Sequence, residues 1–255
     1  KDWDSPKQKF RDALINIPLG NMYYVATSKL FVKIYKSAFR TDNKHILCLG
    51  QPRSDIFFQK EKPVPYFPGK NIILYCPTHR KEGAQRININ KIFDLGRLEE
   101  FLEKYGYYFI IKKHFYHRNE KEDLKEYPHI IDITGRNIDI QCLIMETKAM
   151  VTDYSSIYID YLLLDLPLLF YCYDYGQYLA EDREMYFKYE DVTPGVKARD
   201  FDGLLKELVL FAKDGRNYAQ KDRERIKNLF YCKKAQGPVG DELIKIMLNK
   251  GFKNV

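Results

Sequence analysis

The sequence lacks the features that identify several large classes of protein. It has no uninterrupted apolar run of the about 18 residues that a membrane span needs. The longest candidate, Ile157 to Tyr173, contains Asp160 and Asp165 and is divided by Pro167. No signal peptide precedes the first charged residues. The five cysteines include no CxxC pair, so the sequence predicts free thiols in a reducing compartment and a globular protein of the cytoplasm.

Short catalytic and nucleotide-binding motifs are also missing. The sequence contains no P-loop, no GxGxxG after a predicted strand, no GxSxG and no HExxH, which argues against kinase, dehydrogenase, esterase and metalloprotease functions. His114 and His117 lack nearby carboxylate or thiolate ligands at metal-binding spacing. No metal and no other cofactor is therefore predicted.

Positive charge predominates, with 42 Lys and Arg residues against 35 Asp and Glu and a formal charge of +7. This excess suits an anionic partner such as a nucleotide, a nucleic acid or a lipid headgroup. The charges are spread along the chain, which a solvated surface would also produce. Nucleic acid is therefore not favoured, and RNA binding remains an alternative based only on net charge and tyrosine content.

Short apolar runs alternate with amphipathic stretches, a pattern typical of strands that helices connect into a mostly parallel sheet. The sequence thus predicts a Rossmann-like, doubly wound α/β fold. Residues 61–70, with Pro63, Pro65 and Pro68, form a connector. The predicted strands are Met22–Thr27, His45–Leu49, Asn71–Cys76, Tyr107–Lys112, His129–Ile133, Ala149–Thr152 and Leu168–Cys172. The predicted helices are Ser28–Arg40 with Ser28 as N-cap, Ile89–Tyr105, Ile138–Thr147, Ser156–Leu164, Phe201–Lys213, Tyr218–Phe230 and Asp241–Lys250.

Polar groups follow four of the predicted strands. In open parallel sheets, ligands bind beyond the carboxyl ends of the strands, where the next helices begin. Hydroxyls, imidazoles and cations gathered there are suited to a diphosphate. The four segments are Gln51–Asp55, Pro77–Arg80, Lys112–His114 and Thr152–Ser156.

The segment Thr152–Ser156 is the most informative of the four. A strand is predicted to end at Thr152, and Ser155 or Ser156 is expected to cap the next helix while N–H groups and hydroxyls face a phosphate. The alternative is that Asp153 and Ser155 only cap the helix. Spacing alone does not separate the two interpretations.

Two further segments bring a cation and an imidazole to strand ends. Arg80 offers paired donors for a phosphate, and the adjacent His79 is either part of the same site or a solvated loop histidine. His114, after Lys112 and Lys113, is expected to donate to a phosphate oxygen or to stabilise a leaving group. A loop histidine without function is the alternative there too.

Taken in order, these segments resemble the CDP-glycerol glycerophosphotransferase family, which includes teichoic acid primases and polymerases and related capsule polymerases. No single segment is rare, but their order is specific. The matching segments are Tyr24–Ser28, Gly50–Asp55, Tyr75–Arg80, Lys112–His114, Val151–Tyr161 and Leu168–Tyr175, followed by Asp182-Arg183, Tyr186-Phe187 and Pro194-Gly195.

The resemblance implies the C-terminal, donor-binding half of a GT-B architecture, in which two Rossmann-like domains face a cleft. On this basis residues 1–255 form the CDP-polyol-binding domain, with 1–20 a remnant of a preceding domain or linker, 198–255 a helical C-terminal part, and the N-terminal acceptor domain absent. The implied reaction transfers glycerol phosphate or ribitol phosphate from a CDP-linked donor to a teichoic acid-like or capsule polymer and releases CMP.

The resemblance also implies roles for individual residues. Asp160 is expected to position the serine turn, and the family's general base, in a His-Gly-Thr-Pro-like motif, would precede Lys1. Two departures are His79, where relatives often have Tyr, Trp or Phe, and Phe115, where they usually have proline. The residues expected at the site are Arg80 and His114 as catalytic groups, and Arg53, Thr78, His79, Asp153, Ser155, Ser156 and Asp160 as substrate-binding groups.

By the same resemblance, the protein is expected at the inner face of the bacterial plasma membrane, where a membrane-linked polymer would be the acceptor. The 21 Tyr and 16 Phe residues suit peripheral contact with such a surface. Besides RNA binding, two alternatives remain open. One is a GT-B glycosyltransferase with a sugar-nucleotide donor, and the other is a non-catalytic nucleotide-binding or membrane-docking module.

Overall fold

The structure, a computed structural model, describes residues 22–80, 86–118, 124–181 and 185–251. The chain divides into two compact units, one of residues 1–52 and 230–255 and a larger one of residues 53–229. The strands are β1 (Tyr24–Ala26), β2 (Ile46–Cys48), β3 (Ile72–Cys76), β4 (Tyr108–Ile111), β5 (Ile130–Asp132), β6 (Thr147–Thr152), β7 (Leu168–Tyr171) and β8 (Lys197–Ala198). The helices are α1 (Lys29–Ala38), α2 (Ile89–Ile92), α3 (Leu95–Tyr105), α4 (Ile140–Met145), α5 (Ile157–Tyr161), α6 (Tyr175–Glu181), α7 (Tyr189–Val192), α8 (Phe201–Asp214), α9 (Gln220–Phe230) and α10 (Gly240–Asn249).

The smaller unit contains the parallel pair β1 and β2, which α1 connects. The predicted N-cap of α1 is confirmed, because Ser28 Oγ accepts a hydrogen bond from the Phe31 N–H at 3.4 Å. The end of β1 is bonded to the chain near residue 230: Thr27 Oγ1 donates to the Phe230 carbonyl at 2.7 Å, and the Cys232 N–H donates to the Thr27 carbonyl at 2.8 Å.

The larger unit contains a fully parallel six-stranded sheet in the order β5-β4-β3-β6-β7-β8. From β3 the chain moves outward through β4 to β5, and it then returns to the other side of β3 as β6. The direction of progression therefore reverses between β3 and β6. In such sheets the crevice beyond the carboxyl ends at this reversal is the usual ligand site.

Helices cover both faces of the sheet. Side chains alternate across a strand, so neighbouring residues of β7 face opposite sides. Leu169 belongs to a buried cluster with Leu98 of α3 and Leu204 of α8. Phe170 packs instead against Tyr158 of α5, with ring centroids 5.5 Å apart. The predicted doubly wound α/β fold is confirmed.

Several predicted boundaries are corrected by the structure. The helix predicted over Ile89–Tyr105 is two helices, because Asp94 caps α3 by accepting from the Arg97 N–H at 3.1 Å. The helix predicted over Ile138–Thr147 is shorter, and Thr147 already belongs to β6. The sequence interpretation also missed the short strand β8 and helix α6. Residues 61–70 contain no helix or strand, as predicted.

The five cysteines are free, and Cys76 and Cys172 are the two buried ones. Among the described residues, no helix is both long enough and apolar enough to cross a membrane.

Candidate functional site

The loops at the reversal of the sheet carry most of the residues singled out from the sequence. The segment Pro77–Arg80 follows β3, Lys112–His114 follows β4, and Asp153–Ser156 follows β6. Since β3 pairs directly with both β4 and β6, these three loops leave the sheet side by side. They form two distinct assemblies.

The first assembly is a buried ion cluster, called here the Arg80 cluster, formed by Arg80, Asp153 and Asp174. Arg80 Nε donates to Asp174 Oδ2 at 2.6 Å, and its NH2 donates to Asp153 Oδ2 at 2.8 Å and to Asp174 Oδ1 at 3.1 Å. Its NH1 donates to the Thr78 carbonyl. Four hydrogen bonds within the protein therefore hold one guanidinium.

Burial of the Arg80 cluster is nearly complete. The side chains of Arg80 and Asp153 are 3% and 0% exposed, and that of Asp174 is 14% exposed. Burial alone lowers the pKa of Arg80, but the charges of Asp153 and Asp174 reverse this effect and hold the pKa above its ordinary value. Arg80 is thus a permanent cation that two carboxylates neutralise, and it is not exposed to a ligand in this structure.

Asp153 ties two loops together. Its Oδ1 accepts from the Thr78 N–H at 2.8 Å and from the Tyr154 N–H at 2.6 Å, while Oδ2 accepts from Arg80. Both carboxylate oxygens are therefore occupied. Asp153 fixes the backbone that follows β3 against the backbone that follows β6.

Tyrosines surround the Arg80 cluster. The Tyr154 and Tyr178 rings are stacked with centroids 3.8 Å apart, and Arg80 lies 5.1 and 5.2 Å from those two centroids. Tyr154 also donates to Asp174 at 3.1 Å, and Tyr189 donates to the Asp153 carbonyl at 2.6 Å. Burial raises the pKa of the Tyr154 and Tyr189 hydroxyls, so both act as neutral donors.

The second assembly, called here the basic pocket, is a cavity of about 480 Å³ beside the first. This volume lies within the range of about 300–1,000 Å³ found for small-molecule sites. No carboxylate lines it among the described residues, whereas several cations do. The lining residues are Cys76, Pro77, Lys112, Lys113, His114, Phe115, Arg118, Thr134, Gly135, Arg136, Asn137, Ile138, Ile140, Ser155 and Ile157.

The cations of the basic pocket differ in how they are held. Lys113 is buried, and its Nζ lies 3.4 Å from Asp132 Oδ2. Lys112 is half-buried, and Arg118 and Arg136 are exposed. Within the part of the chain that the structure describes, no carboxylate encloses Lys112, Arg118 or Arg136 as Asp153 and Asp174 enclose Arg80. Exposed positive charge of this kind suits an anion.

His114 lines the basic pocket. The ring of His79 contacts the ring of His114. The two ring centroids are 4.7 Å apart, and His79 also meets the edge of Tyr116 at 5.5 Å. His114 Nδ1 accepts from the Tyr116 N–H at 3.4 Å. Burial lowers the pKa of His114, and the nearby His79 and His117 lower it further. His114 is accordingly neutral at pH 7, with its proton on Nε2.

Arg53 and Asp160 form a separate ion pair. Arg53 Nε and NH2 donate to the two oxygens of Asp160 at 3.0 and 3.1 Å, and Gln141 Nε2 donates to Asp160 at 3.2 Å. Asp160 is buried on α5, in the helical turn that follows Ser156. The pair joins the turn containing Arg53 to α4 and α5, whose first residues, Ile140 and Ile157, line the basic pocket.

The remaining expected site residues take different positions. Ser155 lines the basic pocket. Ser156 is exposed and occupies the N-cap position of α5, but its side chain makes no capping hydrogen bond there, contrary to the predicted cap. The Thr78 hydroxyl is buried and has no hydrogen-bond partner among the described residues.

Three charged residues of the two assemblies were not singled out from the sequence. Asp174 lies beyond the end of β7, Arg136 lies beyond the end of β5, and Arg118 lies in the loop after β4. The rule that ligands gather at carboxyl strand ends would have found Asp174 and Arg136 if it had been applied to every predicted strand. Among the described residues, no three metal-binding side chains cluster together.

Known proteins resemble this chain in sequence and in fold. Residues 6–246 match the family described as CDP-Glycerol:Poly(glycerophosphate) glycerophosphotransferase. The chain is 27% identical to a teichoic acid poly(ribitol-phosphate) polymerase of Bacillus spizizenii over 87% of its length and 39% of the relative's. It is 29% identical to a teichoic acid glycerol-phosphate transferase of Staphylococcus aureus over 68% of its length and 47% of the relative's. The chain therefore spans about half the length of these relatives or less.

Solved structures show the same fold. The wall teichoic acid polymerase TagF superposes with a TM-score of 0.76 at 24% identity, over 98% of this chain and 64% of that one. A UDP-GlcNAc 2-epimerase of Methanocaldococcus jannaschii superposes with a TM-score of 0.51 at 15% identity, over 89% of this chain and 61% of that one. Because the family match covers nearly the whole chain, the protein belongs to the CDP-glycerol:poly(glycerophosphate) glycerophosphotransferase family.

Proposed function

We propose that this chain carries the donor site of a CDP-polyol phosphotransferase that extends a teichoic acid-like polymer. In this proposal, the basic pocket binds the diphosphate of the donor. One observation carries it: a cavity at the reversal point of the parallel sheet is lined by Lys112, Arg118 and Arg136 and by no carboxylate among the described residues. Cations at this place match the charge of a nucleoside diphosphate.

The reaction is a direct displacement at phosphorus. A hydroxyl oxygen at the polymer end forms a bond to the β-phosphorus of the CDP-polyol, and the bond from that phosphorus to the bridging oxygen breaks. The bridging oxygen leaves as part of CMP, and the proton of the hydroxyl is released to a base. Phosphoryl transfer depends mainly on positioning and on stabilising charge. Lys112, Arg118 and Arg136 supply fixed positive charge, and His114 supplies an N–H donor from Nε2.

The Arg80 cluster has a different role in this proposal. Arg80 and Asp153 are expected from sequence to touch the donor, but their side chains are buried and engaged with one another. We assign them to positioning: they hold Pro77 and Ser155, which line the basic pocket, in fixed loops. In this proposal, the hydroxyl of Ser155, in the loop after β6, contacts the diphosphate.

The relatives support a CDP-polyol as the class of donor, and experiment has to identify the polyol. One relative is a teichoic acid poly(ribitol-phosphate) polymerase and another a teichoic acid glycerol-phosphate transferase. These names support the proposal that the polyol is glycerol or ribitol. The acceptor is a polyol-phosphate polymer, and we propose that it is held at the inner face of the plasma membrane. The protein would reach it by peripheral contact.

Donor titration by calorimetry tests this function. CDP-glycerol and CDP-ribitol are expected to bind, and UDP-GlcNAc is the matched negative ligand because it carries a diphosphate but neither cytidine nor a polyol. Binding of UDP-GlcNAc with no binding of either CDP-polyol would contradict the proposal and favour a glycosyltransferase or a sugar-nucleotide enzyme. Binding of none of the three would favour a module without a donor site.

A further inference from the structure

We propose that His79 and His114 form a proton-accepting pair that takes up a proton when the donor diphosphate enters the basic pocket. The inference rests on the proposed function, because it concerns the same pocket. It adds His79 as a functional residue and makes donor binding depend on pH.

The geometry of the pair is the first support. The two imidazole rings lie 4.7 Å apart between centroids, tilted by 44°. Tyr116 contacts both rings, at 5.5 Å from His79 and 4.5 Å from His114. His114 Nδ1 accepts from the Tyr116 N–H, so the nitrogen that faces away from that bond, Nε2, carries the exchangeable proton. Two imidazoles this close resist carrying two positive charges.

The surroundings of the pair are the second support. The charged groups of the pocket are Lys112, Lys113, Arg118 and Arg136, and His117 lies on the same loop as His114. Among the described residues that contact these pocket cations, Asp132 is acidic, and it is paired with Lys113. Cys76 adds no charge, because burial raises its pKa to about 12. An empty pocket therefore disfavours protonation of the pair.

A bound diphosphate reverses this balance. Its negative charges neutralise the surrounding cations and attract a proton to the pair, so the pKa of the pair is higher in the complex than in the free protein. The sign follows from linkage. The complex holds more protons, so affinity is highest below the pKa of the free pair and falls as pH rises through the pKa of the complex. Each unit of difference between the two values changes the affinity by about tenfold.

The proton also has a use in the reaction. When the bond between the β-phosphorus and the bridging oxygen breaks, CMP leaves with a phosphate that binds a proton more readily than the diester diphosphate does. His114 Nε2 gives its proton to that phosphate, and the proton leaves with CMP. His79, which carried the proton taken up on binding, returns it to His114, and the pair is again neutral.

Calorimetry with CDP-glycerol tests the inference, because the diphosphate of this ligand is a diester with no proton to release near neutral pH. Titrations at pH 7 in two buffers of different ionisation enthalpy, Pipes and Tris, give the number of protons taken up. We expect a clear uptake approaching about one proton per site. We also expect the affinity to fall about tenfold or more between pH 6 and pH 8.

Three variants make the test specific. The double variant His79→Phe/His114→Gln keeps two planar side chains and is expected to lose the proton uptake and the pH dependence. His79→Phe alone removes the neighbouring imidazole and is expected to shift the fall in affinity to higher pH. His129→Gln is the matched control: His129 lies before β5, at the opposite end of the sheet, and contacts Glu99 at 2.6 Å. It is expected to behave as the unchanged protein.

The outcomes separate this inference from the proposed function. CDP-glycerol binding without proton uptake, or with an uptake that the double variant retains, would overturn the inference and leave the donor site standing. Absence of CDP-glycerol binding at every pH, with UDP-GlcNAc bound instead, would remove the proposed function and the inference with it.

Discussion

The Arg80 cluster and the basic pocket use the same residue types for opposite purposes. In the Arg80 cluster, two carboxylates enclose one guanidinium whose side chain is almost completely buried. In the basic pocket, Arg118 and Arg136 are exposed and Lys112 is half-buried. The two assemblies begin in the same loops after β3 and β6, yet the first is closed and the second is open to a ligand.

The difference shows why the number of charges near a strand end does not identify a binding residue. A cation contributes to ligand binding only if its charge is not already matched within the protein. Arg80 is matched by Asp174, a residue more than ninety positions further along the chain. The open cations of the pocket instead follow β4 and β5. The largest expected effects of mutation should therefore be on stability in the cluster and on affinity in the pocket.

Removal of Asp153 should have the largest effect. Asp153→Ala leaves Arg80 buried with half its carboxylate partners and frees the N–H groups of Thr78 and Tyr154. Breaking a buried pair costs about 3–5 kcal/mol of unfolding free energy, which chemical denaturation measures. The control is Asp202→Ala, at an ion pair with Arg97 on the protein surface. Equal losses of unfolding free energy in the two variants would contradict the distinction between the buried Arg80 cluster and a surface ion pair.

Removal of Arg136 should separate affinity from stability. Arg136→Ala deletes an exposed cation of the basic pocket, and a lost charge-assisted contact weakens CDP-glycerol binding by about tenfold or more. The unfolding free energy should change by less than about 0.5 kcal/mol. Calorimetry and denaturation give the two quantities. Lys148→Ala, at an exposed lysine of β6 outside the pocket, should leave affinity unchanged, and an equal loss there would reduce the effect to net charge.

A smaller effect is expected at the edge of the Arg80 cluster. Tyr189→Phe removes the hydroxyl that donates to the Asp153 carbonyl at 2.6 Å and leaves that buried acceptor without its donor. The cost is about 1–2 kcal/mol, measured as a lower denaturation midpoint. Tyr175→Phe is the control, since its hydroxyl lies 3.4 Å from Glu190 at the surface. If both variants were equally stable, the tyrosines would not support the cluster.

The smallest effect should come from Arg53, which belongs to neither assembly. Its side chain is 58% exposed, although it forms two hydrogen bonds to the buried Asp160. Arg53→Lys keeps the charge and loses the paired geometry, so we expect a loss of about 1 kcal/mol or less. If CDP-glycerol affinity fell more than stability did, Arg53 would have to be added to the pocket.

Much of the fold could be predicted because its signals are local. The apolar runs that become β3 and β7 are buried on both faces of the sheet, as strands of parallel sheets are, and such runs are visible in the sequence. The capping of α1 by Ser28 depends on a hydrogen bond from Phe31, only three residues further along the chain. The break between α2 and α3 was missed because Asp94 acts as a cap within a helical apolar pattern. Only two residues of β8 pair with β7, too few to form a pattern.

The position of the candidate site could be predicted from the sequence, but the burial and the partners of its individual residues could not. Strand-end segments such as Pro77–Arg80 and Thr152–Ser156 were recognised, and the order of segments indicated the family that the comparisons confirm. Whether Asp153 caps a helix, binds a phosphate or pairs with Arg80 could not be decided from spacing. The partner of Arg80 lies far away in the chain, and only the neighbouring positions of β3, β6 and β7 bring them together.

By itself, the sequence determined the class of fold, the family and the edge of the sheet at which the candidate site lies. These follow from the periodicity of apolar residues and from the order of short segments, which are properties of the chain alone. The tertiary structure decided which charged side chains are buried and neutralised within the protein and which are accessible to a ligand. Whether a charge is matched depends on burial and on partners distant in sequence, as the contacts of Arg80 with Asp153 and Asp174 show.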